Sequence, residues 1–138
     1  MKARSISHII LASCCFFAVH QPVSAQIIPD ETLGTERSRL TPHNPSTERI
    51  EGGARRGANL FHSFQQFNVN EGRGAYFANP VGIENILSRV TGGNPSEILG
   101  TLGVLGNANL FFLNPNGIIF GLNTKFRCER LVSGKYIG

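Results

Sequence analysis

Apolar residues in this chain form short runs separated by turn-forming residues, and the clearest case lies between residues 106 and 121. Two apolar runs, Leu110–Leu113 and Ile118–Phe120, flank the sequence Asn114-Pro115-Asn116-Gly117. Asn first, Pro second and Gly last are the preferences of a type I turn. Neither run alternates with polar residues, which is typical of strands whose two faces are both largely covered. The pattern predicts two strands joined by a sharp corner.

A similar stretch occurs earlier in the chain. Residues 75–83 align without a gap with residues 110–118, and Asn79-Pro80 precedes Asn114-Pro115 by 35 residues (114 − 79). Recurrence of strand, Asn-Pro corner and strand predicts a solenoid in which each coil buries its apolar face on the next. Two ordinary β-hairpins in a small sandwich are the alternative.

The rest of the chain is read in two parts. Residues 26–49 contain three prolines and few apolar residues, which favours an extended lead-in with at most one short strand near Thr32–Leu33. Residues 50–121 read as short strands and corners, with turns predicted at 71–74 and 91–95. Apolar positions between Leu60 and Val69 fit a short helix or two strands, and the surrounding glycines and aromatic residues favour strands.

The beginning of the chain has the features of a secretory signal peptide. Lys2 and Arg4 precede an apolar core over residues 9–19, and Val23-Ser24-Ala25 forms a small-residue cleavage site. Residues 11–14 also resemble a lipoprotein box, which would lipidate Cys14, but the apolar run before this cysteine is very short. We therefore predict cleavage after Ala25 and no stable transmembrane segment.

Charge and cysteine content narrow the possible functions. The 138 residues carry a net charge of +4, and removal of Lys2 and Arg4 leaves eleven basic and nine acidic residues, or +2. The remaining arginines are scattered, so no basic stripe of the kind that binds nucleic acid is present. Cys128 is the only cysteine after residue 25, which rules out an internal disulfide in the mature chain.

The chain offers few residues for catalysis. His62-Ser63 suggests a nucleophile and its base, but neighbouring side chains point to opposite sides of a strand. Between residues 52 and 121 the only acids are the well-separated Glu71, Glu84 and Glu97, whereas polysaccharide-cleaving β-helices need clustered carboxylates. The sequence therefore predicts a protein that is not an enzyme and that needs no cofactor or metal.

An ordered set of motifs resembles a known family. The set is Gly57-Ala58-Asn59-Leu60-Phe61-His62-Ser63-Phe64, Phe77-Ala78-Asn79-Pro80, Ile83-Glu84-Asn85-Ile86, Arg89-Val90-Thr91-Gly92, Ile98-Leu99-Gly100 and residues 109–121. Over residues 26–121 it resembles the amino-terminal secretion domain of filamentous haemagglutinins, the exported proteins of bacterial two-partner secretion. The resemblance implies a right-handed parallel β-helix with extra β-structure covering its start.

The resemblance also implies a function. Family members cross the inner membrane, are bound in the periplasm by the POTRA domains of an outer-membrane β-barrel transporter, and fold at the cell surface, where they template the β-helix that follows. This chain would then be secreted or surface-exposed. A surface adhesin or glycan-binding module is the alternative function, and a polysaccharide-active β-helix enzyme is a weaker one.

The resemblance divides the chain into four segments. These are a signal peptide (1–25), an extended lead-in (26–49), the β-helix part (50–121) and a divergent, charged tail (122–138). The tail suggests a truncated or frameshifted remnant, with a β-helix that is incomplete at its C-terminus and an unpaired strand edge. The predicted transporter-recognition or corner-forming motif consists of Asn79, Pro80, Asn114, Pro115, Asn116, Gly117 and Ile118.

Overall fold

The computed structural model describes residues 26–134, which are almost entirely β-structure. The strands in chain order are β1 (Ile27–Pro29), β2 (Ser38–Asn44), β3 (Thr47–Gly52), β4 (Ala54–Arg56), β5 (Asn59–Phe67), β6 (Gly74–Ala78), β7 (Asn85–Val90), β8 (Ser96–Ile98), β9 (Thr101–Leu105), β10 (Asn109–Leu113), β11 (Ile118–Phe120), β12 (Lys125–Arg127) and β13 (Leu131–Gly134). A 3-10 turn spans Gly34–Glu36. The predicted signal peptide lies outside the described residues.

Three parallel sheets form the walls of the molecule. Sheet A contains the ladder β5-β7-β10-β13, sheet B the ladder β3-β6-β9-β12, and sheet C the pair β8-β11, which the bridge between Val69 and Ile98 extends. The chain visits sheets A, C and B in turn. Asn59 pairs with Asn85 and Asn85 with Asn109, so that successive circuits take 26 and 24 residues. The predicted all-β solenoid, a parallel β-helix, is confirmed.

The repeat that suggested this solenoid is not its structural repeat. Asn79 follows β6 and lies at the corner between sheets B and A, whereas Asn114 follows β10 at the corner between sheets A and C. Residues 75–78 therefore stack on β9, and not on residues 110–113. The spacing of 35 residues exceeds one circuit because it joins two different corners that share the same turn-forming residues.

Aromatic packing dominates the interior. Phe64, Phe67, Phe77 and Phe112 are fully buried, and Phe67 contacts Phe112 with ring centroids 4.8 Å apart. Because each inward residue lies in register with one in the next coil, the apolar side chains stack in rows, for example Leu60, Ile86 and Leu110. Burial of each such side chain contributes about 1.5–3 kcal/mol. Packing of these rows is therefore a major contribution to the stability of the coils.

The outer face of sheet A is only partly covered. Along β10 burial alternates, with Leu110 and Phe112 buried and Phe111 and Leu113 half-buried. The prediction that both faces of this strand are largely covered is wrong on the outer side. Outer side chains of neighbouring coils pack mainly on one another, and Phe111 lies in register with Leu87 above and with Val132 below.

Antiparallel strands cover the first coil. Both β1 and β4 pair with β5, and β2 pairs with β3. The lead-in thus contains more strand than the single short one predicted near Thr32–Leu33, and β3 runs across residue 50. Pro42 was taken as a strand breaker, but β2 pairs on one side only, and proline is tolerated on such an edge strand.

The segment from residue 122 adds two further strands to the coils. Lys125 pairs with Thr101 in sheet B, and Leu131 pairs with Leu110 in sheet A. Large apolar residues of this last described coil are exposed: Ile119, Phe120, Leu122, Phe126 and Val132. Within residues 26–134, β11 pairs with β8 alone.

Candidate functional site

The corner at Asn114 has the predicted turn geometry. The Gly117 amide donates to the Asn114 carbonyl at 3.1 Å, and the Asn116 amide donates to Asn114 Oδ1 at 2.9 Å. Among the described residues only glycines have positive φ, which fits a type I turn and excludes type II, and Gly117 itself has a φ of 107°. The chain turns here because Asn, Pro and Gly each take the conformation that their position needs.

The Asn114 side chain also fastens this corner to the previous coil. Its Nδ2 donates to the carbonyl of Asn94 at 3.0 Å and to Ser96 Oγ at 2.9 Å, and the residue is fully buried. Asn116 is exposed, yet its Nδ2 donates to the Gly92 carbonyl at 2.7 Å. Both asparagines therefore satisfy backbone groups of the coil above, while Asn116 and the half-buried Pro115 also face solvent.

The corner at Asn79 is built differently. Its tight turn is closed by the Ile83 amide donating to the Pro80 carbonyl, one residue later than in the Asn114 corner. Asn79 Nδ2 donates to the Ile83 carbonyl at 2.9 Å, while its Oδ1 accepts the Ala108 amide at 2.9 Å. This side chain thus links the corner to the following coil.

A ladder of three asparagines joins the coils on sheet A. Asn85 Nδ2 donates to Asn59 Oδ1 at 3.1 Å, and Asn109 Nδ2 donates to Asn85 Oδ1 at 3.0 Å. Sequence reasoning missed this ladder. The signal was present in Ala58-Asn59-Leu60-Phe61 and Ala108-Asn109-Leu110-Phe111, two copies separated by two circuits, with Asn85 between them.

A polar cluster ties the lead-in to the first two coils. Asp30 accepts hydrogen bonds from the hydroxyls of Thr32, Ser63 and Thr91 at 2.6–2.7 Å, and Arg89 Nε donates to Ser63 Oγ at 3.0 Å. Partial burial raises the pKa of Asp30, but the hydrogen bonds outweigh it and leave this pKa below its usual value. The cluster therefore holds a carboxylate in its charged form.

His62 and Ser63 point to opposite sides of β5, as the sequence predicts. His62 faces the interior, where its Nδ1 lies 2.9 Å from Ser38 Oγ, whereas Ser63 hydrogen-bonds to Asp30 on the outside. Burial lowers the pKa of His62 to about 4. His62 and Ser38 are each 2% exposed, so a substrate has no access to this pair in the folded state.

A groove of about 620 Å³ crosses the outer face of sheet A. Its walls are mainly apolar and include Leu33, Phe61, Leu87, Leu113 and Pro115. Arg56 and Arg89 are exposed at its rim. The groove thus adjoins the Asn114 corner on one side and the lead-in on the other. No helix among residues 26–134 is long and apolar enough to cross a membrane.

These features define a parallel β-helix domain whose first coil is covered by antiparallel strands and whose corners are held by asparagine side chains. The model of the TPS secretion domain family matches residues 25–133, and the chain belongs to this family. No curated protein and no solved structure matches the chain. Membership means that the chain is an exported protein of two-partner secretion, recognised by an outer-membrane transporter. The match extends past residue 121, where the resemblance in sequence motifs stops.

Proposed function

We propose that this domain is bound in the periplasm by the POTRA domains of its transporter and guides the secretion of a haemagglutinin-like exoprotein. Membership of the TPS secretion domain family carries this proposal. The corner residues Asn79, Pro80, Asn114, Pro115, Asn116, Gly117 and Ile118 are proposed as the determinants that make the domain recognisable.

The two kinds of asparagine have different parts in this proposal. Asn114 is fully buried, so it acts by setting the shape of the corner and not by touching the transporter in the folded state. Asn116, Pro115 and the adjoining groove face solvent and are available to a partner. A corner that fails to form would displace this whole surface, and loss of Asn114 therefore affects recognition indirectly.

The experiment is secretion of a complete exoprotein carrying this domain, co-expressed with its transporter. Asn114→Ala with Asn116→Ala should lower the secreted amount at least severalfold. The matched control is Asn107→Ala, at an exposed asparagine near the same strand, which should leave secretion unchanged. Undiminished secretion of the double variant would refute the corner as a determinant. Binding of each purified variant to the isolated POTRA segment then separates recognition from later steps.

The proposal includes templating of the β-helix that follows in a longer exoprotein. Phe120 is in register with the buried Ile98, and Phe126 with the buried Leu102, so both belong to inward-facing rows. The centroids of the two phenyl rings are 5.2 Å apart. Both remain about 40% exposed, at 39% and 41%. A further coil placed on these rings would bury them, which supports the role of this coil as a template.

A specific feature favours adhesion to acidic glycans as a second candidate function. Tyr76, on the outer face of sheet B, rests over two glycines: a Cβ on Gly103 would lie 2.6 Å from its ring and one on Gly74 3.2 Å. Exposed Lys125 and Arg127 lie on the same face, and among the described residues neither has a carboxylate within 4.0 Å. Retention on chondroitin sulfate that Tyr76→Ala abolishes would support this function, and equal retention of both proteins would refute it.

A further inference from the structure

His62 lies at the junction between the covering strands and the first coil. Its Nδ1 contacts Ser38 Oγ of β2 at 2.9 Å, and the same hydroxyl accepts the Ser63 amide at 3.3 Å. Gly53 is packed directly against the imidazole, since a Cβ there would lie 2.9 Å from Cε1 of His62. The imidazole therefore packs between the covering strand β2 and the first coil of the solenoid.

The other side of the imidazole faces the core. Its ring centroid lies 5.2 Å from that of Phe77 and 6.2 Å from that of Phe64. Below it, Ser88 occupies the register position of the next coil. Both His62 Nε2 and Ser88 Oγ are buried and have no hydrogen-bond partner in the described part of the chain. An imidazolium here would carry a second N–H at Nε2, and no acceptor among the described residues lies within hydrogen-bond distance of that nitrogen.

No opposite charge is placed to stabilise an imidazolium. Ser38, Gly53, Phe64 and Phe77 lie against the ring and Ser88 occupies the paired position on β7, and all five are uncharged. Basic side chains on the neighbouring elements either are exposed or pair with an acid at the surface: Arg37, Arg39, Arg55, Arg56 and Arg89 are exposed, Arg49 pairs with Glu51, and Arg73 with Glu48. The carboxylate of Asp30 lies on the outer side of β5, where it accepts a hydrogen bond from Ser63 Oγ. Tyr76 of β6 lies on the outer face. Protonation of His62 therefore favours a conformation in which the charged ring reaches water.

Among the strands around His62, β2 lies at the edge of its sheet. This strand pairs with β3 alone and six of its seven residues are exposed or half-buried, whereas β5 and β7 each pair with strands on both sides. Edge strands with few buried contacts open at lower free energy than core strands. We propose that β2 and the Gly52–Gly53 turn form an acid-labile latch, which protonation of His62 opens while the coils below stay folded.

The pH dependence of latch opening follows from the linkage between proton binding and the opening equilibrium. Burial holds the pKa of His62 at about 4 when the latch is closed, against 6.5 for an exposed histidine. The closed form binds the proton more weakly, so its stability is full above pH 6.5 and falls as the pH drops towards 4. The equilibrium constant for latch opening should increase about 30-fold between pH 7.5 and pH 5.

Native-state hydrogen exchange of the full chain, corrected for intrinsic exchange rates, tests this proposal. Amides of β2 and the Ser63 amide should exchange faster than those of β10, and their opening constant should increase about 30-fold at pH 5. His62→Phe should abolish this pH dependence, and the control His43→Gln, at an exposed histidine of β2, should retain it. Ser38→Ala keeps the imidazole and should open more readily at every pH with the same dependence.

Two results would overturn the proposal. Equal exchange of β2 and β10 amides at both pH values would mean that His62 reaches water only by global unfolding. An imidazole resonance that titrates near 6.5 in the folded chain would mean that His62 is already solvated. If His62→Phe does not fold, this NMR titration and the Ser38→Ala variant still decide the matter.

Discussion

The asparagine ladder on sheet A gives a stability prediction that can be worked out bond by bond. Asn85 is the central member: it donates to Asn59 and accepts from Asn109, whereas each end member makes one of these two bonds. A side-chain hydrogen bond of this kind contributes about 1 kcal/mol to the free energy of unfolding. We expect Asn85→Ala to cost about 2 kcal/mol, and Asn59→Ala or Asn109→Ala about 1 kcal/mol each.

Urea denaturation of the full chain, followed by circular dichroism, measures these costs. With a slope of about 1.5 kcal/mol per molar urea, the midpoint of Asn85→Ala should fall by about 1.3 M and those of the end variants by about half as much. Asn107→Ala, at an exposed asparagine before β10, serves as the control and should not shift. The reasoning is refuted if the central variant loses no more stability than the end variants, or if all three stay within about 0.5 kcal/mol of the parent.

Two further predictions concern other contacts. Gly103→Ala places a methyl group 2.6 Å from the Tyr76 ring and should lower the free energy of unfolding by about 1–3 kcal/mol. Adding Tyr76→Ala to this variant should restore part of the lost stability. A double-mutant cycle measured by urea denaturation checks this. The pKa of Asp30 in the folded chain is lower than that of an unperturbed aspartate, so the stability it contributes is present above the unperturbed pKa and is lost as the pH falls through the folded one. Asp30→Asn should remove this acid-induced loss, and a pH series of thermal midpoints below pH 5 checks it; an unchanged slope would refute the role of the carboxylate.

Local turn chemistry is the part of the fold that the sequence predicts well. The Asn114 corner forms where it is expected because Asn, Pro and Gly decide the turn through their own conformations and through a bond between residues 114 and 116. The same local signal misled the repeat assignment, since Asn79-Pro80 produces a similar sequence at a different corner. Turn-forming residues predict that the chain bends, but they do not predict which two sheets the bend connects.

Long-range contacts could not be predicted from the same patterns. Ser38 lies 24 residues from His62, and two of the partners of Asp30, Ser63 and Thr91, lie 33 and 61 residues from it, so nothing in the local pattern points to these contacts. Strand β2 was missed because Pro42 argues against a strand unless its free edge is known. The asparagine ladder could have been found from the two Ala-Asn-Leu-Phe segments, but circuits of unequal length hide its period. The division of the chain into four segments stays a prediction.

The number of residues in each circuit also affects the folding rate of the chain. Each parallel pairing in sheets A and B joins residues 21 to 27 positions apart, and none of these pairings is local. Relative to the 109 described residues this gives a contact order of roughly 0.2, the range in which domains fold in milliseconds to seconds. The coils therefore cannot form from short-range contacts, because each parallel pairing needs about one full circuit of chain. The closure of these circuits, and not the formation of the local turns, therefore limits how fast the solenoid folds.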